Sequence, residues 1–277
     1  MKTYQSAGAR LAYVETGEGT PVVFLHPTPL DHRYWDPLTA ELQGIRAIAP
    51  DFRGHGVSEL GSGLPVDGFA RVPDAPILTM QQLAGDVLAL LDALSIREAI
   101  FVGCSIGGYV LFELWRQAPQ RMRGLAFICS KPQPDAEAGL ARRAENIAKV
   151  RGGGLNEFLD AGAQTLSGAT ARSKRPAIVS ELRAFMTVTA DTIVAVQAGL
   201  ATRPDSVPTV ATVTVPVLAI AGGEDSAVTA AEMEALKLAA GGCEFHLLPD
   251  AGHFAAYEFP HAVARLVDPW LRRFGQS

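Results

Sequence analysis

Ser105 is the residue of this chain whose neighbours best equip it to attack a carbonyl carbon. It lies in Gly103-Cys104-Ser105-Ile106-Gly107, after the short apolar run Ala99 to Val102 and before an apolar helical pattern. A strand that turns sharply into a helix needs small residues two positions either side of the serine, because a Cβ there collides with neighbouring backbone. Such a turn lifts the hydroxyl above the sheet at the positive end of a helix, where an oxyanion can be stabilised after attack.

A serine hydroxyl is a weak nucleophile at neutral pH, so it needs a base within reach and a third group to hold that base in the right tautomer. His253 is the candidate base: it follows the strand-like run Glu244 to Leu248 and sits beside Gly252. Asp225, after the run Val217 to Ala221, is the candidate acid, with Glu224 and Asp250 as alternatives. Asp250 is so near His253 along the chain that it better suits a turn. The other five histidines are weaker candidates: His26 ends an early strand, His55 is in a loop, and His32, His246 and His261 have polar or helical surroundings. An oxyanion needs two N–H donors. The amide of Ile106 is one, and in Pro27-Thr28-Pro29 only Thr28 has an amide to give. Cys104 is expected to face away from the cleft; the three cysteines, Cys104, Cys129 and Cys243, have no metal-ligand spacing.

The elements that must position these residues alternate at short intervals. Two short strands joined near Gly8 precede the continuous apolar run Pro21 to Pro27, a short helix at Trp35 to Leu42 and a buried strand at Arg46 to Pro50. Val57 to Pro76, full of glycine and proline, reads as a long loop. Met80, Leu83, Val87, Leu90, Leu91 and Leu94 then recur at helical spacing behind Thr79 as N-cap. The elbow, its helix and a strand at Gly124 to Cys129 follow, the pattern of a parallel sheet covered on both faces by helices. From Lys131 to Thr214 the alternation stops and only helical stretches appear, which reads as an inserted lid. The chain therefore divides into a core over 1–130, a helical lid over 131–214 and the rest of the core over 215–277. A helix is expected over Thr229 to Ala240, and a last one over Phe259 to Phe274 with a bend near Asp268 imposed by Pro269.

A chain of 277 residues is long enough for one large α/β domain. A net charge of −5 without a basic run argues against nucleic acid and anionic membranes as partners. With no secretory h-region and no stretch of membrane-spanning length, a cytoplasmic location is expected. The partner expected is a small-molecule substrate, with no metal or cofactor; a homodimer is compatible with the chain. Tyr34, Trp35, Phe185 and Met186, with Thr187 and Val188, are candidates for an apolar pocket over Ser105. Arg142, Arg143 and Arg183 are candidates to meet a substrate carboxylate, against the plainer reading of solvated helix faces.

Taken in order, HPTP (26–29), DFRGHG (51–56), GCSIGG (103–108), GGED (222–225) and AGHF (251–254) resemble the motifs of the α/β-hydrolase superfamily, over nearly the whole chain. The resemblance implies a mostly parallel sheet of about eight strands with helices on both faces, and a helical lid at 131–214. One departure is Pro27, where the family usually has glycine. Ser105 stands where the superfamily's haloalkane dehalogenases and epoxide hydrolases carry an aspartate, so neither activity is implied. The stretches from DVLALLDAL (86–94) through the elbow and from VPVLAI (215–220) to AGHF are similar to the 3-oxoadipate enol-lactonase, chloroperoxidase-like and small-esterase group. The expectation is a serine hydrolase of small to medium carboxylic esters or lactones. The alternatives are perhydrolysis, acyl transfer or carbon-carbon cleavage by the same triad, or a slow-turnover ligand sensor.

Overall fold

The computed structural model describes residues 1–275. Eight strands form one sheet: β1 (Lys2–Ser6), β2 (Ala9–Thr16), β3 (Thr20–Leu25), β4 (Ile45–Pro50), β5 (Ala99–Cys104), β6 (Met122–Ile128), β7 (Val217–Gly222) and β8 (Cys243–Leu248). Their order is β1-β2-β4-β3-β5-β6-β7-β8. β2 pairs antiparallel with β1 and β4, and every later neighbour is parallel. The hairpin between β1 and β2 turns at Ala7 and Gly8, both at positive φ.

The continuous apolar runs are apolar because the sheet is covered twice. Alternate residues point to opposite faces, so Val22, Phe24, Ile100 and Val102 enter one core while Val23, Leu25, Ala99 and Phe101 enter the other. The second core is closed by α2 (Met80–Ala93) and α3 (Ile106–Gln117), after a short α1 (Asp36–Thr39) on the opposite face. Thr79 caps α2 as its sequence suggests, its side chain accepting the Gln82 amide. Between β6 and β7 lie α4 (Glu137–Arg151), α5 (Leu155–Leu166), α6 (Ala169–Lys174), α7 (Ile178–Ala184), α8 (Ala190–Ala201) and α9 (Val207–Val210). The chain ends with α10 (Ala230–Met233), α11 (Ala255–Glu258) and α12 (Pro260–Arg272) around and after β8.

Two expected helices differ in detail. The one expected over Thr229 to Ala240 is α10 behind a Thr229 and Glu232 capping box, tightening at once into a 3-10 turn over Glu234–Leu238. α12 runs unbroken past Pro269. Pro269 and Arg265, whose carbonyl the proline ring crowds, are both exposed, so that carbonyl can turn to water.

Candidate active site

Ser105 sits at the junction of β5 and α3 with φ 53° and ψ −117°. Left-handed φ at a non-glycine residue stores strain and persists only where the surroundings enforce it. They do so here by close approach: a Cβ on Gly107 would run into the carbonyl of Leu25, and one on Gly103 into the backbone of Gly107 and Gly108. Gly107→Ala is therefore expected to lower the unfolding free energy measured in urea by more than the about 1–3 kcal/mol typical of overpacking, since backbone rather than a movable side chain stands in the way.

The base and acid candidates meet. His253 Nδ1 lies 2.8 Å from Asp225 Oδ2, and both side chains are buried. The other Asp225 oxygen accepts the amides of Ala227 and Val228 at 2.7 and 3.0 Å. Burial alone would push this carboxyl up, but His253 and the two amides outweigh it and hold Asp225 below the usual carboxylate range. With an ionised carboxylate on Nδ1, that nitrogen carries the proton and Nε2 is left as the acceptor. Ser105, His253 and Thr28 all line one cavity of about 340 Å³.

The alternatives are used elsewhere. Glu224 turns to α6, accepting the Thr170 amide at 2.8 Å and its hydroxyl at 2.6 Å. Asp250 is exposed beside Lys174. His26 and His55 are buried struts: His26 Nδ1 donates to the Pro27 carbonyl at 3.0 Å and Nε2 accepts the Phe52 amide at 3.0 Å. His32 pairs with Asp51 at 2.7 Å, and His261 is exposed beside Glu41. Cys104 is buried below the elbow, receiving the Tyr34 hydroxyl at 3.2 Å, and burial pushes its thiol well up.

The hydroxyl of Thr28 is committed. His55 Nδ1 faces the Arg53 carbonyl at 2.9 Å, which can only accept, so Nε2 has no proton and Thr28 donates to it at 2.9 Å. Burial holds His55 neutral, at about 3. With its hydroxyl engaged, the amide is the donor Thr28 has left. The amide of Ile106, at the first position of α3, is among those a helix start leaves without an intrahelical acceptor.

Four aromatic and apolar residues expected in the pocket are not there. Tyr34 is 0% and Trp35 1% exposed, packed beneath the sheet with Phe24 and Tyr257. The chain turns inward straight after the Thr28 loop, into a 3-10 helix (His32–Trp35) capped by Asp31. Phe185 lies between the guanidinium of Arg33 and the ring of Tyr257, and Met186 is buried in the core. These side chains fasten the helical segment to the sheet. The cavity's apolar wall is formed instead by Phe158, Leu166, Ile193, Leu200 and Val228. Arg183 is also elsewhere, paired with Asp160 and Asn156, whereas Arg142 and Arg143 do line the cavity.

Glu258 is a residue the sequence reading missed. Its buried carboxylate accepts the amides of Gly252 at 2.6 Å and Phe254 at 3.2 Å, those on either side of His253. The His253 amide itself donates to the Leu166 carbonyl at 2.9 Å. The loop carrying His253 is thus held from below by α11 and from above by the end of α5.

The sheet order, the strained serine and the paired histidine and aspartate define a hydrolase architecture. The profile of the alpha/beta hydrolase family matches residues 22–266, and the chain belongs to that family. Two solved structures are similar over nearly all of it. A thermophilic esterase from Thermogutta terrifontis is 28% identical with a TM-score of 0.87, covering 99% of this chain and 97% of its own. The enol-lactonase from Burkholderia xenovorans LB400 is 26% identical with a TM-score of 0.85, covering 98% and 100%. The 3-oxoadipate enol-lactonase 1 of Acinetobacter baylyi is 32% identical over 127 residues, 46% of this chain and 42% of its own length. No helix among the described residues is long and apolar enough to cross a membrane.

Proposed function

We propose that the protein is a serine hydrolase of carboxylic esters or lactones, with Ser105 as nucleophile, His253 as base and Asp225 as its orienting acid. The observation that carries this reading is the strained Ser105 opening on the same cavity as His253, whose far nitrogen is engaged by Asp225. The esterase and lactonase relatives support it. As Ser105 Oγ bonds to the carbonyl carbon its proton passes to His253 Nε2, and Asp225 stabilises the imidazolium. The oxyanion accepts from the amides of Thr28 and Ile106. The carbon–oxygen bond to the leaving group breaks as His253 returns the proton to that oxygen, leaving Ser105 acylated. Water, deprotonated by His253, attacks the acyl carbon and Ser105 leaves with its proton restored. The helices between β6 and β7 serve as the cap over this cavity.

The test is labelling by a fluorophosphonate together with steady-state hydrolysis of p-nitrophenyl esters from acetate to decanoate and of several lactones. A single adduct on Ser105 and Ser105-dependent turnover are expected; an adduct elsewhere, or turnover indifferent to Ser105, overturns the reading. Thr28→Val separates amide from hydroxyl. It leaves His55 Nε2 without its donor, so stability is expected to fall by about 1–3 kcal/mol, while kcat/KM stays within roughly threefold. A loss of about a hundredfold, the size seen when an oxyanion donor is removed, would assign the work to the hydroxyl.

A further inference from the structure

One end of the cavity is built almost entirely of hydrogen-bond donors. Tyr109, one helical turn beyond Ser105 on α3, lies under the guanidinium of Arg203, 4.5 Å from its ring centroid. Arg203 donates to Asp135 Oδ1 at 2.8 Å, and Arg143 from α4 donates through Nε to Asp135 Oδ2 at 3.0 Å. A single largely buried carboxylate therefore serves two largely buried guanidinium groups. Burial would push Asp135 up, but the two arginines overcome it and hold its carboxyl down at about 2.

The neighbouring amide is oriented by the same network. Arg143 Nη1 and Asn146 Nδ2 both donate to Gln197 Oε1, at 3.2 and 3.1 Å. Gln197 thus has its oxygen occupied and its amide nitrogen as the remaining polar end, and Arg143 retains Nη2. Arg142 and Lys149 lie seven residues apart on α4, with Asn146 between them, so all three form one stripe along the helix. All three line the cavity, and among the described residues no carboxylate pairs with Arg142 or Lys149. Arg142, Arg143, Lys149 and the adjoining Arg203 have Asp135 as their one carboxylate, while Lys131, which also lines the cavity, pairs with Glu232, in a chain whose net charge is −5. Two buried guanidinium groups on one acid leave a net positive charge, which the Leu200 and Gln133 carbonyls and the Tyr109 ring solvate at Arg203 without neutralising it. A bound anion would supply the balance, and paired N–H donors suit a carboxylate.

We propose that this end of the cavity binds a carboxylate carried by the substrate, so that the ester or lactone cleaved at Ser105 is an anionic one. The cavity, about 340 Å³, is at the small end of ligand pockets, which limits the substrate to a short chain. The proposal rests on the hydrolase reading for what happens at Ser105, but the binding preference can be measured without turnover.

The test uses full-length protein carrying Ser105→Ala and titration calorimetry with monomethyl succinate, glutarate and adipate. Methyl esters of the unbranched acids, in which a methyl group replaces the free carboxylate, are the neutral partners. At least one monoester is expected to bind tenfold or more tightly than its neutral partner, with the preference weakening as salt is raised. Adding Arg142→Glu and Lys149→Glu, both exposed on α4, should reduce the preference to within threefold. Equal affinities, binding of neither ester, or a preference that survives the charge reversals overturns the proposal. With Ser105 restored, the ratio of kcat/KM for monoester over neutral ester should follow the binding ratio. A binding preference without turnover of either ester defeats the hydrolase reading and leaves the anion site standing. Turnover of both without preference does the reverse.

Discussion

Ser105→Ala is expected to lower kcat by on the order of 10⁵-fold to 10⁶-fold while leaving KM within a few-fold and the fold unchanged. The size follows from how nucleophile and base act as a unit: removing either costs nearly as much as removing both. His253→Ala should therefore match it, and the double variant should be no slower than either single one. Asp225→Asn keeps the shape but disturbs the tautomer of His253, and should lose about 10⁴-fold. Steady-state hydrolysis, with circular dichroism as the check on folding, measures all four. Independent, multiplying losses in the double variant would mean that Ser105 and His253 do not share one proton-transfer step. More than a tenth of wild-type activity in Ser105→Ala would end the nucleophile assignment.

The second large effect lies away from the cavity. Arg53, in the turn after β4, donates Nε and Nη2 to the two oxygens of Asp86 at 2.6 and 2.7 Å, and Nη2 also reaches the carbonyl of Ser6 at 2.7 Å. The Ser6 hydroxyl donates to Asp86 Oδ1 at 2.6 Å, and both ionic side chains are only 3% exposed. This network ties β1, the β4 turn and α2 together. Asp86→Ala leaves a buried guanidinium unpaired, which costs about 3–5 kcal/mol, or roughly 10 °C in the thermal midpoint. Arg53→Met with Asp86→Leu should be less damaging than Asp86→Ala alone, since no unpaired charge then remains buried. A midpoint for Asp86→Ala within 2 °C of wild type would show the pair to be dispensable.

Much of this was legible in the sequence because the constraints are local. The elbow must have glycine where Leu25 and the start of α3 press on it, and the parallel strands must be apolar throughout because both of their faces are covered. Position after a late strand was enough to make Asp225 and His253 candidates, with Glu224 left beside Asp225, and the pairing at 2.8 Å joins the two. The pocket was not legible. Tyr34 and Trp35 follow the Thr28 loop closely, but the chain turns inward at once, and nothing in their spacing announces that reversal. The walls come from α4, α5 and α8, whose seating depends on contacts between distant residues, such as Arg151 with Asp74, Leu166 with His253 and Ala195 with Leu78. Glu258 has a signal only in retrospect: an acid five residues after His253, close enough for a short helix to fold it back onto the loop. The partnership of Arg53 with Asp86 spans 33 residues and follows no period.

The ties around residues 166–170 bear on how the chain can be re-engineered. Leu166 receives the amide of His253, Thr170 is held by Glu224 beside Asp225, and the backbones of Gly168 and Gly252 touch where a Cβ on either would collide. A chimera that replaced the whole block between β6 and β7 would strip these supports from the His253 and Asp225 loops together, trading a new specificity for a loosened His253–Asp225 pair. Libraries confined to α4 and α8 avoid that loss, because among the described residues no hydrogen bond ties those helices to the loops that hold His253 and Asp225. The inserted segment is thus two parts of unequal exchangeability, one fixed with the chemistry and one free to diversify.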